Sequence, residues 1–172
     1  RAMTLCPQAI LIPPSSGLYC AYSQQVFDIV ARVTDDYVRV SIDEGYVDVT
    51  SAVRRLGSPG RIAQDLRAVI RRETGLVASI GAASTKVVAK LASTRAKPDG
   101  LLVVPVDEVA AFLRPMPVEA LPGVGQSTQN AFARYGLRTI ADLADADEAW
   151  VARTFGAHGR TLRDFAHGID DR

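Results

Sequence analysis

Two adjacent carboxylates, Asp43 and Glu44, sit inside the alternating stretch "VRVSIDEGYVDVT" (38–50). Like charges side by side repel, so the pair calls for a cation or for open water. A divalent ion relieves the repulsion and takes hard oxygen donors. Two such ions, roughly 4 Å apart and clamped by carboxylates, are a recurrent device for in-line phosphoryl transfer. Two acids are an incomplete set, and a third would have to come from elsewhere in the fold or from upstream of Arg1. The competing reading is a hairpin tip whose acids are only solvated, which is the commoner fate of such a pair taken alone.

Two further groups bear on phosphate chemistry. "SIGAASTKVVAKLASTRAKPDG" (79–100) places Lys86, Lys90 and Lys97 on or beside one helix, whose start is built from Gly81, Ser84 and Thr85. A helix N-terminus and lysines can hold phosphate charge. A solvated basic face would look the same. Lys97–Pro98–Asp99–Gly100 is more specific, because the Pro and Gly make a turn that presents Lys97 at the helix end. "LPGVGQSTQNAFARYGLRTIADL" (121–143) opens a helix with Gly123–Val124–Gly125. Glycines let a phosphate backbone come close to free N–H groups, so a helix–hairpin–helix of this form grips a duplex without reading its bases. Its alternative is an αα-hairpin used for packing.

The elements that would position these groups follow from periodicity. "QAILIPPSS" (8–16) reads as a short strand stopped by two prolines. Apolar residues at Leu18, Tyr22, Val26, Ile29 and Val30 have helical spacing. "YVRVSID" and "YVDVT" alternate as two strands, with Val38, Val40 and Ile42 on one face and Arg39, Ser41 and Asp43 on the other. The short gap makes them an antiparallel hairpin with Asp43, Glu44 and Gly45 near its tip. Residues 58–75 form a helix capped by Ser58 and Pro59 and stopped at Gly75. "LVASIGAA" (76–83) and "GLLVVPV" (100–106) are strands on either side of the lysine helix. After residue 106 the pattern is helical only: a short helix over 106–115, two helices around a turn over 121–146, and two more over 148–168. The fold class is α+β, with helices on one face of a mixed or antiparallel, ferredoxin-like sheet, followed by a small all-helical module.

Bulk properties limit the rest. The chain has 172 residues, 48% hydrophobic content, 23% charged content and a net charge of +1. That is enough for one medium and one small unit, and the charge alone names no partner. Cys6 and Cys20 form neither a disulfide framework nor a metal knuckle and read as reduced thiols. No apolar run approaches the roughly 18 residues that span a bilayer, and no signal peptide is expected. The start at Arg1, within what looks like a helix tail, and the stop at "GIDDR" suggest a piece of a longer protein.

In order and spacing, "SIDEGYVDVT", "SIGAASTKVVAKLASTRAKPDG" and "LPGVGQSTQNAFARYGLRTIADL", with "LCPQAILIPP" and "YCAYSQQVF" before them, resemble the Y-family (translesion) DNA polymerases of the DinB-like branch. The likeness covers essentially the whole chain. It implies the tail of a fingers domain over 1–11, a partial palm without its first strand over 12–105, and a thumb with a helix–hairpin–helix over 106–172. It implies that Asp43 and Glu44 are metal-binding and catalytic, with Ser41 opening their block. It further implies that Lys97 meets the triphosphate of the incoming nucleotide. Gly123, Val124, Gly125 and Thr128 would meet DNA. The implied cofactor is Mg²⁺, two per intact site. The implied partners are primer–template DNA, deoxynucleoside triphosphates and a sliding clamp reached through a region absent here. The protein would be a monomer, free of membranes, in the bacterial cytoplasm at the nucleoid, acting in error-prone lesion bypass.

The resemblance has departures. The family usually has Ala, an aromatic and Leu after the acid pair, where this chain has Gly45, Tyr46 and Val47; Gly45 is expected to loosen the hairpin. The family's first catalytic aspartate, its ribonucleotide screen and its Tyr/Arg pair on the triphosphate would lie before Arg1, and its little finger after Arg172. The fragment alone is therefore expected not to polymerise. Two rival readings are a non-catalytic paralogue acting as an assembly factor, against which the retained Asp43 and Glu44 argue, and a plain helix–hairpin–helix DNA-binding module.

Overall fold

In the computed structural model, which describes residues 2–172, a short helix α1 (Ala2–Leu5) leads into an extended segment that joins no sheet. Arg1, with which the expected helix tail begins, lies outside the described residues. The strand expected over 8–16 is absent: Ile10, Leu11 and Ile12 are 87%, 72% and 82% exposed. Local apolar pattern makes a strand only when another backbone supplies its ladder, and Pro13 and Pro14 have no N–H to give.

Helix α2 (Ser16–Ala31) buries Phe27, Ile29 and Val30. Its first half stays open, with Leu18 and Tyr22 exposed, so the expected apolar face is covered only at its C-terminal end. The hairpin forms as expected: β1 (Tyr37–Arg39) pairs antiparallel with β2 (Gly45–Val47), in register Tyr37 with Val47 and Arg39 with Gly45. Helix α3 (Val53–Leu56) is one turn. Helix α4 (Pro59–Thr74) has the predicted ends. The Ser58 side chain accepts from the Arg61 amide, Pro59 opens the first turn, and Gly75 closes the helix at φ 72°.

Strand β3 (Ile80–Ala82) runs parallel to β4 (Leu101–Val103), joined through helix α5 (Lys86–Arg95). The expected single sheet is thus two separate two-stranded ladders, one antiparallel and one parallel. The four strands among the described residues are each three residues long, and the face carrying Val38, Val40 and Ile42 is exposed rather than packed under helices. Alternation marks the direction of side chains but not which strand stands next to which.

The remainder is helical apart from one isolated bridge, Pro117 to Thr139. A 3₁₀ turn (Val106–Glu108) precedes α6 (Val109–Leu113), and a second (Val118–Ala120) precedes α7 (Gln126–Arg134). Helix α8 (Ile140–Asp145) begins with a reciprocal capping box between Thr139 and Asp142. Its two hydrogen bonds satisfy amides that the first turn leaves unpaired. Helix α9 (Glu148–Ala166) is the expected pair of helices joined end to end across a kink at Gly156 (φ 68°, ψ −155°). The apolar core runs from Val87, Val88 and Leu91 of α5 into Phe132, Ile140, Leu143 and Leu162 of the later helices. The Thr85 hydroxyl also donates to the Gly168 carbonyl at 3.0 Å. Residue 105, near which a boundary is expected, follows β4, and one apolar core has members on both sides of it. Among the described residues no helix is long and apolar enough to cross a membrane.

Candidate functional site

Asp43 and Glu44 lie in the five residues that link β1 to β2. The Glu44 carbonyl accepts from the amides of Val40 (2.9 Å) and Ser41 (3.1 Å), which closes the loop on itself. The Ser41 hydroxyl donates to Asp43 Oδ1 at 2.7 Å and accepts from the Asp43 amide at 3.3 Å. Asp43 is exposed, and among the described residues its second carboxylate oxygen has no hydrogen-bond partner, while Glu44 is half-buried.

Gly45 anchors this loop from below. A β-carbon there would lie 2.7 Å from Cε1 of Phe27 and 3.0 Å from the Val38 carbonyl. The Phe27 ring fills that space. It stacks on Tyr37 at 5.8 Å between centroids and carries the Arg39 guanidinium at 4.4 Å. The absence of a side chain at Gly45 therefore seats the hairpin on α2, contrary to the expectation that it would loosen it.

Helix α5 closes the other side. Lys90 forms an ion pair with the Glu44 carboxylate across 46 residues of sequence. Lys86, one turn earlier, lies over the Tyr46 ring at 5.9 Å. Two of the three lysines read as phosphate holders thus face the hairpin. The pairing of Lys90 with Glu44 has no local signal; it depends on how α5 lies against β3.

Lys97 is exposed at the end of α5, and the turn that carries it is held firmly. Arg67 donates to the Asp99 carbonyl (2.6 Å) and to its carboxylate (2.8 Å), and also to the Ala78 carbonyl (2.8 Å). Arg71 takes the other Asp99 oxygen at 2.6 Å. The Arg67 hydrogen bond, against a burial cost and with help from Arg71, holds the Asp99 carboxyl below its ordinary range. The Lys97–Pro98 peptide is cis. Arg67 and Arg71 share α4 with two other arginines, Arg61 and Arg72, so nothing in the pattern distinguishes them.

The glycine loop lies at the start of α7. Gly123 has φ 95°, a conformation that L side chains rarely adopt. Gly125 precedes the helix at φ −83°, ψ 177°, with no side chain capping the first turn. Gly123, Gly125, Gln126 and Ser127 are exposed, and Val124 and Thr128 are half-buried. Beside them a cleft of about 170 Å³ is lined by Ser127, Thr128, His158 and Gly159, with Phe132 and Leu162 at its base. Neither this loop nor Lys97 forms a hydrogen bond or ion pair with Asp43 or Glu44 among the described residues. The fold brings Lys90 to the acid pair, and leaves Lys97 and the loop as separate exposed groups.

Among the described residues no three His, Cys, Asp or Glu side chains converge as a ready metal cage. The donors present still suit Mg²⁺, which commonly takes one or two carboxylates and completes its shell with water and substrate phosphate. Asp43 offers an open hard oxygen, and Glu44 already holds a cation, the Lys90 ammonium.

Comparison with known proteins matches residues 1–94 to the impB/mucB/samB family. The chain is 44% identical over all 172 residues to a DNA polymerase IV of Stenotrophomonas maltophilia (strain R551-3), covering 47% of it. It is 40% identical over 171 residues to a DNA polymerase IV of Pseudomonas aeruginosa (strain UCBPP-PA14), covering 49%. The chain spans about half the length of the curated relatives it matches. Among solved structures, a DinB family error-prone DNA polymerase from Sulfolobus solfataricus superposes with a TM-score of 0.87 at 25% identity. That match covers 99% of this chain and 52% of the other. An insertion ternary complex of Dbh DNA polymerase gives 0.86 at 25% identity, covering 99% and 50%. These matches place the chain in the impB/mucB/samB family, among the DinB-like Y-family DNA polymerases.

Proposed function

We propose that the chain carries the acid pair and the duplex-holding loop of a DNA-directed DNA polymerase, which adds deoxynucleotides to a primer 3′ end in error-prone lesion bypass. The observation that carries this reading is the loop of Asp43 and Glu44. Two consecutive acids stand on a self-closed hairpin, Asp43 exposed and Glu44 paired with a cation. A rigid element of this kind suits groups that must stay in place while charge develops.

In this reading residues 12–105 form most of a palm and 106–172 a thumb with a helix–hairpin–helix. Asp43 and Glu44 would hold Mg²⁺. An ion held there would supply charge neutralisation at the reacting phosphates, where the primer 3′-hydroxyl attacks the α-phosphate and pyrophosphate leaves. Ser41 donates to one Asp43 oxygen. Lys97, on the turn fixed by Arg67 and Arg71, meets the triphosphate. The Gly123–Val124–Gly125 loop and Thr128 take a phosphate of the primer duplex through backbone N–H groups. Positioning and charge neutralisation carry the rate, as expected for phosphoryl transfer. A ternary complex of a neighbour with the same fold supports DNA and nucleotide as the partners.

The test is primer extension with Mg²⁺ by the intact protein, on undamaged and lesion-bearing templates. Asp43→Asn with Glu44→Gln should abolish extension while duplex binding stays nearly unchanged. Extension by the double variant at the parent rate would refute the assignment. A parent that binds DNA but never extends would favour a non-catalytic assembly role.

A further inference from the structure

The acid pair is not symmetrical. Among the described residues the Asp43 carboxylate receives only a neutral donor, the Ser41 hydroxyl, whereas Glu44 is paired with the Lys90 ammonium. The Lys90 and Glu44 side chains are 33% and 41% exposed, so the pair is neither dry nor fully solvated. Lys90 is held in place from its own helix. Val87, Val88, Leu91 and Ala92 are buried beneath α5, which leaves Lys86 and Lys90, four residues apart, on the side that meets the hairpin. A cation already stands at the carboxylate that the proposed function gives to a divalent ion.

We propose that Lys90 is the positioning residue for Glu44: its ammonium acts as the resident counter-cation, fixing the carboxylate and setting how tightly the acid pair takes a divalent ion. This rests on the reading of Asp43 and Glu44 as metal-holding. Two effects follow from one contact. The ion pair stops Glu44 from swinging away from Asp43 under mutual repulsion. The same positive charge opposes any second cation at Glu44, so the acid pair binds a free divalent ion more weakly than two unpaired carboxylates would.

The test is direct Mn²⁺ binding, followed by electron paramagnetic resonance, on the intact protein and on Lys90→Met, Lys90→Arg, Glu44→Gln, Asp43→Asn/Glu44→Gln and Lys90→Met/Glu44→Gln. Lys90→Met should bind Mn²⁺ roughly threefold to tenfold more tightly, the scale expected for removing one charge a few ångströms away in a partly solvated site. Its extension rate at saturating metal should nonetheless fall. Lys90→Arg should restore both values towards the parent. In the Glu44→Gln background, Lys90→Met should give no such gain.

Unchanged or weaker Mn²⁺ binding by Lys90→Met would overturn the proposal. So would a gain of the same size in the Glu44→Gln background, because the charge would then act at long range. If the parent and Asp43→Asn/Glu44→Gln bind Mn²⁺ alike, the metal-holding reading itself fails. That result is distinct from a working acid pair that is indifferent to Lys90.

Discussion

Arg67 holds Asp99 by two atoms at once, donating to its carbonyl at 2.6 Å and to its carboxylate at 2.8 Å. The contact ties α4 to the turn that follows α5, across 32 residues of sequence. Arg71 completes a two-guanidinium grip on one acid. Asp99 itself sits at φ 49°, a conformation uncommon for a residue with a side chain. The surrounding hydrogen bonds hold it there, and with it the neighbouring Lys97.

This grip makes part of the stability depend on acid pH. The Arg67 hydrogen bond is the largest influence lowering the Asp99 carboxyl below its ordinary value of 3.8, with burial opposing and Arg71 adding to it. A group whose folded value is lowered contributes its full stabilisation above the unfolded value and loses it as pH falls through the folded one. Asp99→Asn should therefore lower the urea midpoint at neutral pH, and its difference from the parent should shrink steadily below about pH 4. Urea unfolding at a series of pH values checks this. A difference that stays constant, or grows, as the solution is acidified would show that the two arginines do not favour the charged form.

Gly45 is the point where the acid loop rests on α2. Adding one methyl group there places it 2.7 Å from the buried Phe27 ring, which is itself held by Tyr37 and Arg39. Gly45→Ala should cost about 1–3 kcal/mol, the usual scale for overpacking a filled site. Phe27→Leu should absorb part of that cost, so the two changes should be non-additive. A double-mutant cycle by denaturant unfolding measures this directly. Additive effects would mean that the ring and the loop do not share the space.

What could be read from the sequence was local. Ser58, Pro59 and Gly75 mark the ends of α4 because capping acts within one turn, and alternation marks the β1–β2 hairpin because its partner is five residues away. The acid pair was legible for the same reason, since its two members are adjacent. The segment 8–16 has the pattern of a strand without being one, because a strand needs a neighbour and Ile10–Ile12 have none among the described residues. Lys90 was seen as a basic residue but not as the partner of Glu44, since that pairing is set by the packing of α5 on β3. The grip of Arg67 and Arg71 on Asp99 leaves no mark in the sequence, because an arginine on an amphipathic helix looks alike whether it grips a turn or faces water. Gly45 showed only as a departure from a family pattern; the ring that explains it comes from another element.

The glycine loop allows binding and folding to be separated by one substitution. Gly123 is a poor place to test DNA contact, since its φ of 95° strains any side chain. Gly125 has an ordinary extended backbone, nothing within 4 Å of a β-carbon, and no cap of its own. An aspartate there is a favoured N-cap and suits the positive end of α7, so Gly125→Asp should keep or raise the melting temperature. The same carboxylate would stand where a duplex phosphate is proposed to dock. Duplex affinity should therefore fall, by roughly tenfold at low salt, and by the same factor on unrelated sequences, because phosphate contacts carry no base information. Fluorescence anisotropy with two unrelated duplexes, alongside thermal unfolding, gives both readouts. A stable variant that binds DNA as the parent does would remove the loop from the interface, and a loss confined to one sequence would mean that it reads bases rather than backbone.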